Sequence, residues 1–273
     1  MPRNLPLFWL DLYNRLDYPL RQLFRWQIGV AAPSNQSKEH LWEDLPPDQR
    51  MSIQATADRL YQQYHLNYLY CHSNVENFRE NLYYLSLLET AFDYIEAHLK
   101  ENLNAGDIGV SSWFYVQALV AFLKWYHAPT SRQFYLTGYE RDAYRVYTDM
   151  HSRYDHALSH LQGLENVKYQ PKAFIPQTQY FDILFMFFPF IFVEDHINWG
   201  LPKKHFDPAG LLNAAWQSLK KEGILMVVNQ GEEEQHAQIQ LFEQAGIPIR
   251  STLRFDSPLF QYDLERYVLF AIR

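Results

Sequence analysis

Three groups of residues in this 273-residue sequence have types and spacings that can carry chemistry. Glu194-Asp195-His196 sets a histidine, the side chain most usable as a base near neutrality, beside two carboxylates. His151, His156 and His160 share one stretch, and His156 and His160 stand one helical turn apart, as metal ligands can. No third ligand accompanies them in the sequence, so we expect a solvated helix face and no metal. The third group is the Asp-x-Gly turn at Asp107-Ile-Gly109, followed by Glu140. A dinucleotide fingerprint beginning at Gly109 would need glycine at 111 and 114, which are Ser111 and Phe114, so nicotinamide chemistry loses its signature.

Composition narrows the setting. Ten glycines are about half the usual ~7%, too few for a phosphate cradle built from several of them. With 48% hydrophobic, 20% charged and 17% aromatic residues, the chain can bury a large core with thick apolar walls. The formal charge of -7 opposes binding to phosphate backbones, and nucleic acid is an unlikely partner on that ground. Cys71 is the only cysteine, which excludes an intrachain disulfide and a thiolate zinc site and suits a reducing, cytoplasmic setting. The longest apolar run, Ile183 to Val193, is far shorter than the ~20 residues of a membrane span. The first residues mix Arg, Asp and aromatics without the apolar segment of a signal peptide.

The elements that must position these groups follow from periodicity. Residues 1–75, with prolines at 2, 6, 19, 33, 46 and 47, read as a loop-rich segment of short, broken helices, with Pro33-Ser-Asn-Gln-Ser-Lys-Glu as a loop. Within it Phe8, Trp9, Leu12, Leu16, Leu20, Leu23 and Phe24 form an apolar pattern that suits a membrane surface, or more commonly the protein's own core. Phe78, Leu82, Leu85, Leu88, Phe92, Ile95 and Leu99 mark a long amphipathic helix ending near Asn104. Strands are expected at Asp107–Val110, Gln133–Glu140, Asn166–Phe174, Tyr180–Phe188, Ile224–Val228, Ile249–Phe255 and Arg266–Ile272. Between them the pattern predicts helices over Trp113–His127, over Asp142–Leu161, from Asp207-Pro208 to the closing Lys220, Lys221 and Gly223, and after Glu232. Such alternation implies a parallel, doubly wound α/β sheet over 76–273. Its last two strands lack a helix between them and must therefore close on an antiparallel pair.

On these residues the chain resembles the class I S-adenosylmethionine-dependent methyltransferases, whose seven-stranded sheet ends in an antiparallel strand. Asp107-Ile-Gly109-Val-Ser111-Ser-Trp113 lies where that family has its acidic-then-glycine loop, and Glu140 where an acidic residue receives the ribose hydroxyls. Tyr180-Phe-Asp182 with its apolar run, and Leu219-Lys-Lys-Glu-Gly223-Ile-Leu, are similar to the family's fourth strand and its passage into the fifth. The resemblance implies S-adenosylmethionine as cofactor, held by Asp107, Gly109, Ser111, Trp113 and Glu140. Ser111 and Trp113 replace the family's second and third glycines, and Trp113 would either stack on the cofactor or block it. Phe187-Phe188-Pro189-Phe190 falls where amino-methylating members carry Asn/Asp-Pro-Pro-Tyr/Phe, and Phe187 removes the polar group that would hold a nucleobase amine. No acidic residue in Lys172–Gln177 offers itself to the adenine.

The expected function is methyl transfer to a small molecule or a protein side chain. Phe188, Pro189 and Asn229 would contact the acceptor, His196 would act as base, and the N-terminal segment would cover the acceptor. The alternative is a non-catalytic methyltransferase-like fold that binds cofactor or serves as an interaction module.

Overall fold

The computed structural model describes residues 6–30, 35–43 and 45–273. Pro2, Pro33 and Ser34 lie outside these residues, and residues 35–38 of the expected loop are irregular. In chain order the helices are α1 (Leu7–Phe24), α2 (Pro47–Gln63), α3 (Asn67–His72), α4 (Val75–Tyr94), α5 (Val116–Trp125), α6 (Arg153–His160), α7 (Val193–Asn198), α8 (Pro208–Ser218) and α9 (Gly231–Gln244). The strands are β1 (Asn102–Ile108), β2 (Gln133–Tyr139), β3 (Val167–Gln170), β4 (Phe181–Phe187), β5 (Leu219–Gln230), β6 (Ser251–Phe255) and β7 (Arg266–Ile272).

The sheet runs β3-β2-β1-β4-β5-β7-β6; β1 to β5 are parallel and β7 is antiparallel to both β5 and β6. Side chains alternate across it. Ile183, Phe185 and Phe187 of β4 join one apolar layer with α4 and α5, while Leu184 and Met186 join another with α8 and α9. Burial on both faces is why β4 reads as an unbroken apolar run. Leu41, Trp42, Ile53 and Leu60, from the segment before 75, enter the same layer as α4. Among the described residues no helix is long and apolar enough to cross a membrane.

Several elements differ from the sequence reading. The helix expected to run to Asn104 stops at Tyr94; Glu96 takes φ 50°, and the chain has entered β1 by Asn102. The helix expected over Asp142–Leu161 is confined to α6. Its start is fixed at Ser152, whose hydroxyl accepts from the Asp155 N–H while the Asp155 carboxylate accepts from Ser152, a closed capping box. Residues 141–152 instead form a loop pinned by a bridge between Val146 and Ser152. Asp207 and Pro208 do start α8, with the Asp207 carboxylate accepting from the Gly210 N–H. Lys220, Lys221 and Gly223, however, lie within β5, where Lys220 pairs with the buried Asp182. The N-terminal segment holds an 18-residue helix, α1, that continues through Pro19. Proline removes one backbone donor there, and Pro19 lies on the exposed side of the helix.

Candidate functional site

The carboxyl ends of β1, β2, β4 and β5 open into a cavity of about 810 Å³, within the size range of small-molecule and cofactor sites. One end is built from the turn after β1. Gly109 there has φ 84°, and a Cβ on it would meet no atom within 4 Å, so backbone is all that borders the space. Its N–H and that of Val110 donate to the Tyr139 carbonyl at 2.8 and 3.3 Å. Glu140 then clasps the turn: Oε2 accepts from the Ser111 N–H and Oε1 from the Asp142 N–H, both at 2.7 Å. Tyr169 donates its hydroxyl to the Ser111 carbonyl. Gly109, Ser111 and Glu140 all border the cavity.

Ser111 and Trp113 take φ 51° and 54°, a left-handed backbone that favours glycine. A non-glycine residue pays roughly 1–2 kcal/mol for that conformation. Part of the compensation is packing. The Trp113 side chain is fully buried, and a Cβ on Gly138 would lie 2.6 Å from its ring, so the glycine in β2 makes room for the indole. The indole N–H donates to Asp107 Oδ2 at 2.8 Å, and the Tyr115 hydroxyl donates to the same oxygen at 3.0 Å. Asp107 is itself wholly buried, which pushes its carboxyl up to about 7. Neither Asp107 nor Trp113 borders the cavity. The expectation that Trp113 stacks on or blocks a ligand therefore gives way to a supporting role beneath the turn. The trace of it in sequence is the isolated glycine inside a strand pattern, a mark of close approach.

The other end is aromatic. Phe187, Phe188, Pro189 and Phe190 border the cavity, with Phe188 at φ 53° donating its N–H to the Val228 carbonyl and Arg266 lying 4.7 Å from its ring. His196, on α7, is buried between the edges of Phe190 and Phe206. Its Nε2 donates to the Pro202 carbonyl at 3.1 Å, which leaves Nδ1 as the unprotonated nitrogen. Burial also lowers its pKa, favouring the neutral ring. Asn229 does not reach the cavity. It is fully buried and donates to Gln235, while its neighbour Gln230 and Glu234 supply the wall instead. Sequence reading also missed Arg141, Tyr147, Trp199, His205 and Phe206, wall residues from turns, a single 3-10 turn and loops whose approach no periodicity reports.

Four carboxylates, Glu140, Asp195, Asp207 and Glu234, face one guanidinium, that of Arg141, around this space. Burial raises the pKa of both Asp195 and Glu234. The segment that carries His196 is backed by α1. Asn14 donates to the carbonyls of Ile197 and Leu201, Asp11 accepts from the Lys203 N–H, and Arg21 forms a two-pronged bond to the buried Asp142, which also meets Arg153 at 3.3 Å. No described residue of the segment before 75 borders the cavity; α1 lies one layer behind it, against the segment that carries His196.

Away from this site, Asp149, His151 and His156 gather their ligand atoms within 4.8 Å, with Asp149 Oδ2 3.0 Å from His156 Nε2 and 3.4 Å from His151 Nδ1. His160, the partner expected from spacing, is not among them; it is half-buried, and loss of solvent around its ring lowers its pKa to about 4.

The strand order and the antiparallel β7 are those of the class I methyltransferase fold. The chain is similar to a SAM-dependent methyltransferase from Aquifex aeolicus, at 17% identity over 71% of this chain and 92% of that one, with a TM-score of 0.47. It is similar to a SAM-dependent methyltransferase from Leishmania major at 11% identity, over 81% and 82% of the two chains, with a TM-score of 0.47. A putative methyltransferase from Bacillus halodurans matches at 14% identity over 69% and 97%, with a TM-score of 0.42. No family model matches the sequence, and no curated protein is similar to it.

Proposed function

We propose that this chain binds S-adenosylmethionine and transfers its methyl group to a small, largely apolar acceptor. The observation that carries this is the clasp at one end of the cavity, where Glu140 at the tip of β2 holds the left-handed turn of Gly109 and Ser111 against open space. Each Glu140 oxygen accepts one backbone N–H, and a carboxylate offers about four acceptor positions, so two remain for a vicinal diol. Gly109 presents bare backbone, and the surplus of carboxylates favours a ligand carrying positive charge. The residues present thus fit the cofactor.

When bound, S-adenosylmethionine supplies an electrophilic methyl carbon on a sulfonium. The chain's own task is then to align an acceptor and, where needed, to remove its proton. Phe187, Phe188, Pro189 and Phe190 would hold an apolar or aromatic acceptor, and the neutral His196 would take its proton on Nδ1. Titration calorimetry and thermal melting with S-adenosylmethionine and S-adenosylhomocysteine test the reading. Saturation at ~100 times the dissociation constant adds about 2.7 kcal/mol, which raises the melting temperature by roughly 5–10 °C for a domain of this size. Absence of heat and of any melting shift with both compounds would overturn it.

A further inference from the structure

α1 is docked with its polar side inward. Asp11, Asn14, Arg21 and Gln22 make its bonds to the rest of the chain, while its apolar residues face solvent, with Leu16 68% exposed, Phe8 72%, and Leu23 and Phe24 74% each. Aromatic side chains present ~150–250 Å² apiece, so a face holding Phe8, Trp9, Tyr13 and Phe24 besides four leucines exposes on the order of 1,000 Å². That exceeds the ~300–600 Å² of the largest apolar patch on an ordinary monomer and reaches the ~800 Å² that each partner gives to a stable interface.

The order of residues along the helix says what fits there. Phe8 and Phe24 stand equally far from Leu16, as do Trp9 and Leu23, and Leu12 and Leu20. Leu16 also lies at the middle of the helix and on the midline of its apolar face. An antiparallel pair of such helices, related by a two-fold axis at Leu16, sets each apolar residue against its mirror position. That is the self-complementarity a two-fold interface requires, and neither an unrelated partner nor a lipid surface calls for it. The formal charge of -7 disfavours an anionic membrane as the alternative occupant.

We propose that this protein forms a homodimer through antiparallel pairing of α1 with α1 of a second copy, crossing at Leu16. The inference stands independently of the cofactor reading. Because α1 backs the segment that carries His196, pairing braces one wall of the cavity in both copies.

Sedimentation velocity on the full chain tests the proposal. The wild type should sediment as a dimer at micromolar concentration. Leu16→Arg sets two guanidiniums face to face and should raise the dissociation constant roughly a hundredfold or more. Its melting curve at high dilution should match the wild type, since the site is exposed within one copy. In a Cys71→Ser background, a mixture of Trp9→Cys and Leu23→Cys chains should form the mixed disulfide under mild oxidation, because these positions lie near the midline of the face and only antiparallel pairing brings them within the ~7 Å between Cα atoms that the bond needs. A wild type that stays monomeric at tens of micromolar, a dimer that Leu16→Arg leaves intact, or exclusive 9-to-9 linkage would each overturn it. A monomer that floats with phosphatidylcholine and phosphatidylglycerol vesicles would assign the face to lipid instead.

Discussion

α1 and α4 look alike in sequence and end up opposite in space. Both are amphipathic helices of similar length with leucine and phenylalanine at spacings of three and four. In α4, Phe78, Leu82, Leu85, Leu88 and Phe92 are buried against the sheet layer, and Asn81 adds a buried polar contact by accepting from the Ala118 N–H at the start of α5. In α1 the leucines are outside, and Asp11, Asn14 and Arg21 meet backbone and carboxylate partners within. The pair teaches that periodicity reports only that two faces of a helix differ. Which face turns inward is decided by what waits there. An apolar sheet layer draws the leucines, whereas the open carbonyls of Ile197, Leu201 and Gly200, together with Asp142, draw donors.

The contrast can be put at risk in order of effect. Phe92→Ala removes a wholly buried ring packed on Phe122 and Phe270, and should cost about 3–5 kcal/mol in urea unfolding. Phe24→Ala, measured at dilutions where copies are separate, should stay within about 0.5 kcal/mol. Comparable losses at the two sites would erase the distinction.

Arg21→Met comes next. It keeps the length of the side chain but removes the two-pronged partner of the buried Asp142, leaving Arg153 at 3.3 Å and the charge of Arg145 nearby, at a cost of roughly 2–4 kcal/mol. The damage should fall on α1: limited proteolysis should cut within 7–24 well before the sheet is touched, and equal sensitivity across the chain would contradict the polar docking.

The smallest effect is a pH dependence belonging to α4. Burial, reinforced by Glu76, pushes Glu80 up to about 7. Between about pH 4.5 and 7 the folded carboxyl therefore keeps a proton that the unfolded chain has lost. Stability accordingly falls as pH rises through that window and levels off above it. Glu80→Gln should flatten this slope and exceed the wild type by about 1–3 kcal/mol at pH 8; melting curves from pH 4.5 to 8 decide the matter, and an unchanged slope would refute the assignment.

What was legible in the sequence was set by burial on both faces and by turn chemistry. β4 could be read because Phe181 to Phe187 has no polar side to give beyond Asp182, and α8 because Asp207-Pro208 is a local start signal. The turn at Gly109 and the glutamate after Gly138-Tyr139 could be placed because both sit at strand ends. The helix expected from Asp142 starts only at Arg153, because the capping box of Ser152-Arg-Tyr-Asp155 fixes its first turn there. Trp113 and Asn229 were placed at the right turn and strand end, but whether a side chain there points into the cavity or beneath it depends on partners, Asp107 and Gln235, that spacing does not weigh. Trp199 and Phe206 were invisible because turns and short loops have no period.

The inward polar face of α1 also bears on the order of events at synthesis. Its partners lie far along the chain: Arg21 and Asp142 are 121 residues apart, Asn14 and Ile197 183, and Asp11 and Lys203 192. At ~5–20 residues per second, the helix made first waits roughly 10–40 s before the ribosome delivers the groups it is shaped to grip. Contacts of such sequence separation form late in refolding as well. α1 is thus a latch whose last partners arrive only after β4 has been made, and until it closes both its faces stand open to whatever else is in solution.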